Sequence, residues 1–523
     1  MAPDHSAPGA DRIRVRYRLE TPPDQADQLA RAIAVEQTVE IPDRIIPPRI
    51  RREVVGEVES LTRAGPAATE ATISYPPEFA GNLSELLGVL YGNASMLTGV
   101  RVVDFEPPIS LLERLSGPNH GVLGLRRLRG IHGRPLVATA LKPRGSSNEE
   151  LAALAAAFAR GGGDLVKDDQ NLNDDFVTFR ARVLACAHAV DRANEATGSR
   201  CLYLPHAGAP AEELERYVAF VAEAGLPGVL VCPMLVGLDA VRMLAARYPL
   251  VFMAHPSFSG AFTNAPGQGI SHGVLLGTLF RLAGADISVY PGPRGRFGYP
   301  EAAVRDIQTR LRAPLGGLRR AWPSPAGGLA CDEVTDAAVE SGRDAVLLIG
   351  GALLSHPFGL EDGARALLDG IRAEFGETAA PPEPMAAAEA DGPSRLAFES
   401  DWQWTGRPGS PYKDAGDLAF RGVRRVELVG RFGERSGSDL RYFEVEPGGY
   451  TSHERHLHTH VVIGARGEGV LVLDGRRMPL RPHDIACVGP LESHQLRNET
   501  DHPFGFYCVV DHHRDPPMPP RDA

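Results

Sequence analysis

Between residues 120 and 377, short apolar runs alternate with amphipathic helical segments, and this pattern constrains the fold more than any other feature of the chain. The runs are Pro135–Leu141, Asp164–Lys167, Cys201–Leu204, Gly228–Cys232, Leu250–Ala254, Asp286–Tyr290, Arg320–Ser324 and Ala345–Ile349. Helical patterns lie between them, as at Glu149–Arg160, Phe176–Asn194, Ala211–Ala224 and Gly273–Leu282. A strand with no polar alternation is buried on both faces, so such runs with helices between them predict a parallel sheet covered on its outside. Eight units in roughly 250 residues match a (β/α)8 barrel. An open doubly wound sheet is the alternative; glycine pairs after the last two runs favour the barrel.

The flanking regions have different textures. Arg12–Glu20 alternates basic and apolar residues, as a half-buried strand does. Asp24–Val39 and Leu83–Tyr91 read as helices, Ala71–Tyr75 and Val100–Phe105 as strands. That order predicts a ferredoxin-like α+β domain over residues 1–120, followed by the barrel over 121–377. Residues 378–394, rich in Ala, Pro and Glu, read as a linker. Over 395–523 short strands separated by Gly, Pro and Asp turns predict a small all-β domain. About three domains is what 523 residues allow.

Composition narrows the function. The net charge of −11 argues against a nucleic-acid or anionic-membrane binder, which needs a basic face. No run reaches the ~18 apolar residues of a membrane span, and the N-terminus lacks the apolar core of a secretory signal. Six cysteines without C-x-x-C spacing offer neither a disulfide framework nor a zinc knuckle. A cytoplasmic enzyme of small molecules is expected.

Barrel active sites lie at the C-terminal ends of the strands. The second run ends in Lys167-Asp168-Asp169-Gln170, where Lys167 and Asp169, two apart, share a face. Such a lysine is either one member of an ion-pair cluster or a functional amine whose pKa burial shifts. Lys142-Pro143-Arg144, His206 and His255-Pro256-Ser257 end other strands on the same rim. Gly327-Gly328 and Gly350-Gly351 follow strands seven and eight and suit a phosphate held by backbone N–H groups.

Taken in order, Gly92-Asn93-Ala94-Ser95-Met96, Lys142-Pro143-Arg144, Gly162 to Asp169, His255-Pro256, Gly295-Arg296-Phe297-Gly298, Pro325 to Gly328 and Gly350-Gly351 resemble the large subunit of RuBisCO. The likeness is greatest to the RuBisCO-like proteins, which do not fix carbon dioxide. It implies a carbamylated Lys167 that, with Asp169 and position 170, holds Mg²⁺, and it implies a homodimer. Gln170 departs from the pattern by replacing an acid. Tyr290–Tyr299 carries no lysine where RuBisCO has a catalytic one, Arg144 stands for a lysine, Pro256 for an arginine and Ala326 for a serine, which together exclude carboxylation. The lysine base of the enolase branch aligns with Asn119. What remains is a phosphosugar site with Lys142, Lys167 and His255 as candidate catalytic groups.

The last domain carries His453-Glu454-Arg455-His456-Leu457-His458-Thr459-His460, then Gly467 and His494. Alternate residues share a strand face, so a metal site inside a small β-barrel is expected. These segments resemble the two motifs of the cupin family, a double-stranded β-helix. The resemblance puts ligands at Glu454, His456, His460 and His494, with His458 as a substitute for Glu454. Such a set suits a transition metal such as Mn²⁺, Fe²⁺ or Zn²⁺. The resemblances together imply a phosphosugar isomerase acting on 5-methylthioribulose 1-phosphate, fused to a cupin that consumes its product by releasing methanethiol. The rivals are a 3-oxo-isoapionate 4-phosphate decarboxylase or transcarboxylase/hydrolase with an accessory cupin, and a cupin that only senses or dimerises.

Overall fold

A computed structural model describes residues 12–294, 296–376, 396–412, 419–430, 438–456, 459–489 and 492–511. They fall into two compact units, divided near residue 380. The expected linker, 378–394, and His458 lie outside the described residues.

The first unit opens with strands β1 (Ile13–Leu19), β2 (Glu57–Gly65), β3 (Ala68–Tyr75) and β4 (Val100–Glu106). They form an antiparallel sheet in the order β4-β1-β3-β2, the ferredoxin-like arrangement. On β1, Ile13, Val15, Tyr17 and Leu19 are fully buried, under helices Pro23–Glu36 and Leu83–Tyr91. Asn82 caps the second helix by accepting from Glu85 N, so its start was visible in the sequence.

The barrel strands are β5 (Leu136–Leu141), β6 (Leu165–Asp168), β7 (Leu202–Leu204), β8 (Gly228–Val231) and β9 (Val251–Ala254), then, after the short β10 (Gly269–Ile270), β11 (Ile287–Pro291), β12 (Trp322–Ala326) and β13 (Val346–Leu348). Each of the eight expected apolar runs supplies one. They pair in parallel in two arcs, β13-β5-β6-β7 and β8-β9-β11-β12, joined on one side by a bridge between His206 and Leu230. Leu136, Leu165, Leu204, Leu230, Val251, Ile287, Trp322 and Val346 fill the interior. Strand β10 leaves the barrel and pairs with β4 as a fifth strand of the first sheet, Gly269 opposite Arg101.

The second unit is a nine-stranded sheet, nearly closed and consistent with a cupin barrel. Its strands are β14 (Ser410–Pro411), β15 (Arg421–Val429), β16 (Ser438–Tyr450), β17 (His460–Arg466), β18 (Gly469–Leu473), β19 (Arg476–Leu480), β20 (Ile485–Val488), β21 (His494–Arg497) and β22 (Phe504–Asp511). Phe443, Val445, Val462, Leu471, Phe504, Phe506, Cys508 and Val510 are among the residues of its interior. The expectation that Glu454 to His460 lie on one strand is corrected. Strand β16 ends at Tyr450 and β17 begins at His460. Thr451 N donates to Leu496 O and Glu454 pairs with His494, so three steps along one chain match two along the other. That extra residue is a bulge ahead of Glu454, and Glu454 and His456 then lie between β16 and β17 rather than as alternate residues of one strand.

Candidate active site and metal centre

One cavity of about 810 Å³ opens at the C-terminal ends of the barrel strands. The nine residues given a catalytic, metal or phosphate role in the barrel line it, Lys142, Lys167, Asp169, Gln170, His255, Gly327, Gly328, Gly350 and Gly351, whereas Arg144 and His206, expected on the same rim, are not among its lining residues. The nine come from the ends of five strands, which the barrel topology alone brings together.

Strand β6 positions the centre. Its register sets Lys167 beside Ala140 of β5, and Lys167 is 2% exposed. The ammonium donates to Asp168 O at 3.0 Å. Burial pulls its pKa from 10.5 down to about 8, opposed by the charge of Asp169 and reinforced by Lys142. Asp168 faces the other way, to the outer helices. It accepts from Tyr203 Oη at 2.7 Å, Arg182 Nε at 3.1 Å and His206 N at 3.0 Å, and is structural. Asp169 returns to the cavity, where its Oδ2 lies 2.9 Å from Lys142 Nζ. Burial raises the Asp169 pKa, but the hydrogen bond from Lys142 and the charges of Lys167 and Lys142 outweigh it, so the carboxyl sits below its usual range.

The histidines are held neutral. Burial pushes His206 down to about 4 and His255 well below its ordinary value, helped in both by the charge of Lys167. His255 Nδ1 lies 3.0 Å from Ser257 Oγ. His206 lies beneath the rim, with Nε2 3.6 Å from Cys232 Sγ.

On the far side, Gly327 and Gly328 have φ of 94° and 128°, a region side chains disfavour. A Cβ on Gly350 would come within 3.9 Å of Lys142 Nζ, so this bare backbone faces the lysine. Arg296 and Phe297 also line the cavity; Arg296 N donates to Gly327 O at 3.1 Å. Sequence reasoning passed over Arg296, though it stands in the quoted Gly-Arg-Phe-Gly motif.

Asn119 is elsewhere. Its amide donates to Tyr248 O at 2.8 Å and Leu250 O at 3.0 Å, at the N-terminal end of β9. Its identity therefore says nothing about a base in the cavity.

In the second unit, His456, His460 and His494 converge. Their ligand atoms lie within 4.8 Å of one another, and all three are buried. His456 comes from the segment beyond the bulge, His460 from the start of β17 and His494 from the start of β21. Glu454 is outside this group; its carboxylate accepts from Ser452 Oγ, which lies 2.8 Å from Tyr412 Oη. Cys508 Sγ is 3.5 Å from His460 Nδ1, a contact no sequence spacing suggested. Three convergent imidazoles are a nitrogen-rich site for a transition metal.

Fold and sites together define a (β/α)8 enzyme with an α+β N-terminal sheet, joined in one chain to a histidine-lined cupin. The family model of the ribulose bisphosphate carboxylase large chain, catalytic domain, matches residues 121–291, and that of the cupin domain matches 441–510. RuBisCO-like protein 1 of Rhodopseudomonas palustris is 37% identical over 350 residues, 66% of this chain and 94% of its own length. The 5-methylthioribulose-1-phosphate isomerase of Rhodospirillum rubrum is 35% identical, over 66% of this chain and 92% of its own. A 2,3-diketo-5-methylthiopentyl-1-phosphate enolase from Bacillus pumilus is 30% identical, over 65% and 86%. The crystal structure of a RuBisCO-like protein from Rhodopseudomonas palustris superposes with a TM-score of 0.64 at 34% identity, covering 70% of this chain and 99% of that one. The chain belongs to the RuBisCO large-chain family, among its RuBisCO-like members, and carries a C-terminal cupin domain. Among the described residues no helix is long and apolar enough to cross a membrane.

Proposed function

We propose that the barrel moves a proton next to the carbonyl of a phosphorylated sugar, and that its substrate is 5-methylthioribulose 1-phosphate. The observation that carries this reading is the placement of Lys142, Lys167 and Asp169 in one cavity with four exposed-backbone glycines. Enolisation needs an acid/base at the carbon beside the carbonyl and positive charge for the oxygens of the enediolate. Lys142, 2.9 Å from Asp169, is oriented for the first role. As the uncharged amine it takes the proton from one carbon, and as the ammonium so formed it returns one to the neighbouring carbon while the hydroxyl proton passes between the two oxygens, so atoms and charge balance. The glycine N–H groups hold the phosphate and so fix which carbon faces Lys142.

Mg²⁺ fits the residues present. The Lys167 amine, brought down to about 8, is the uncharged nucleophile that carbon dioxide requires far more often than an exposed lysine is. Its carbamate, the Asp169 carboxylate and the Gln170 amide oxygen would be hard oxygen donors lining one cavity. When bound, the ion supplies positive charge to the enediolate. Gln170 leaves the donor set one charge short of an acidic pair, so a weaker Mg²⁺ site is expected than a second carboxylate would give.

The 35%-identical isomerase favours this substrate; the 30%-identical enolases support a second reading, enolisation of a 2,3-diketo-5-methylthiopentyl 1-phosphate. Both begin with the same proton removal. In the cupin, His456, His460 and His494 would hold a transition metal, and the domain would consume the barrel's product. Incubating the chain with each phosphate in turn and following product by ³¹P NMR and thiol release tests these assignments. Isomer is expected from 5-methylthioribulose 1-phosphate, followed by methanethiol when a thiol reductant is supplied to replace the broken C–S bond by C–H; turnover of the diketone alone would establish the enolase instead.

A further inference from the structure

Arg441 presents a guanidinium on the inward face of the cupin barrel; Glu427, directly opposite it on β15, is already engaged by Arg425 at 3.2 Å. On β16, Arg441, Phe443 and Val445 alternate, and the last two belong to the interior, so Arg441 shares their inward face. Its register confirms this, because Arg441 stands directly opposite Cys508 of β22, another interior residue. The guanidinium stacks over Phe443 at 5.2 Å, and its Nη2 donates to Cys508 Sγ at 3.2 Å. Cys508 in turn touches His460 of the imidazole group at 3.5 Å. Arg441 Nε is buried and has no hydrogen-bond partner, and no carboxylate among the described residues forms an ion pair with Arg441.

Among the described residues the buried Arg101 and Arg281 also lack a carboxylate, but they donate to backbone carbonyls, whereas the contacts of Arg441 are a sulfur and an aromatic ring. Arg129 and Arg134 share Asp164, Arg182 has Asp168, Arg310 has Asp104 and Asp306, and Arg466 has Glu444. A partly buried cation without a counter-charge costs stability, which a bound anion would recover. The planar fork of a guanidinium suits a phosphate or a carboxylate, each of which accepts two parallel N–H bonds.

We propose that the cupin barrel is an anion-binding site, in which Arg441 anchors the phosphate or carboxylate of a small ligand whose other end faces His456, His460 and His494. Cys508 lies between the two, and its contacts fix their separation through one sulfur atom. The site accepts a phosphosugar or a sugar acid and rejects neutral sugars. It rests on the histidine group as a metal centre only for its readout, not for the anion.

The test uses the full chain loaded with Co²⁺, whose visible absorption reports on the imidazole centre. Inorganic phosphate and, separately, oxalate are titrated into the wild type, Arg441→Gln and Arg441→Lys, with melting temperatures recorded for each. One anion is expected to shift the cobalt bands saturably in the wild type. Its affinity should fall at least tenfold in Arg441→Gln and recover in part in Arg441→Lys, while all three melt within a few degrees. Tighter phosphate assigns a phosphate ester as the ligand; tighter oxalate assigns a carboxylate. Equal affinities in the wild type and Arg441→Gln would overturn the proposal. If no cobalt spectrum develops, the metal reading fails by itself. The calorimetric difference in anion binding between wild type and Arg441→Gln then decides the role of Arg441, because the barrel contributes equally to both.

Discussion

Strand β6 has a carboxylate at each end, and the two have opposite characters. Asp164, just before the strand, is completely buried. It accepts from Arg129 Nε at 2.8 Å, Arg134 Nη1 at 2.7 Å and Val137 N at 2.8 Å. Burial raises its pKa, but Arg134 and Arg129 outweigh that, and it stays below its usual range. Asp169, just after the strand, accepts from Asn171 N at 3.1 Å, lies 2.9 Å from Lys142 Nζ and lines an open cavity. Asp286 repeats the closed pattern under β11, accepting from His120 N and Gly121 N at 2.7 Å and from Phe252 N at 2.9 Å. A carboxylate enclosed by arginines or backbone N–H groups fixes the barrel, and one that lines a cavity beside lysines is placed to do chemistry.

The comparison breaks most visibly by substitution. Asp164→Ala leaves two buried arginines without a counter-charge and is expected to cost about 3–5 kcal/mol, read by urea unfolding. Asp169→Ala, five residues on, is expected to cost less than Asp164→Ala, because of the two cations it faces Lys142 is 36% exposed and gains water, and only Lys167 is buried. Similar losses at both sites would abolish the distinction. Asp164 also gives a pH test with a definite sign. Its folded pKa lies below the unfolded value, so its contribution is present above the unfolded pKa and lost as pH falls through the folded one.

At the open end, Lys142→Ala is expected to lower substrate-dependent proton exchange by roughly 10²–10⁴-fold with the melting temperature unchanged. In the second unit, His494→Ala should reduce bound transition metal from one ion per chain to none, by elemental analysis, and leave barrel turnover intact. A smaller effect is expected from pH. If Lys167 acts or is carbamylated as an uncharged amine, exchange should rise with pH and level off above about 8, its folded value. A flat profile across that range would remove Lys167 from the chemistry.

The barrel was legible because its strands are buried on both faces, which writes a continuous apolar run into the sequence. Strand β2, Glu57–Gly65, left no such mark; it is the exposed edge of its sheet, and Glu57, Glu59 and Arg63 carry no alternation. The two residues of β10 are too few to carry a pattern. In the site, strand ends gave the parity of Lys167 and Asp169 correctly, since no bulge intervenes. In the second unit the same parity brought His456 and His460 to one centre but not Glu454, because the stretch between β16 and β17 is not one strand. Partners were not legible at all. Nothing local to Lys142 says that it meets Asp169, nor to Arg441 that it meets Cys508, because those contacts come from registers between strands far apart in the chain.

The central claim is that the open end of the barrel transfers a proton on a phosphosugar. Its most direct test is ¹H NMR of 5-methylthioribulose 1-phosphate incubated with the enzyme in D₂O. The expected result is deuterium entering the carbons beside the carbonyl at a rate that Lys142→Ala removes, with far weaker binding of the dephosphorylated sugar. Exchange that is absent in the wild type, or undiminished in Lys142→Ala, would contradict it.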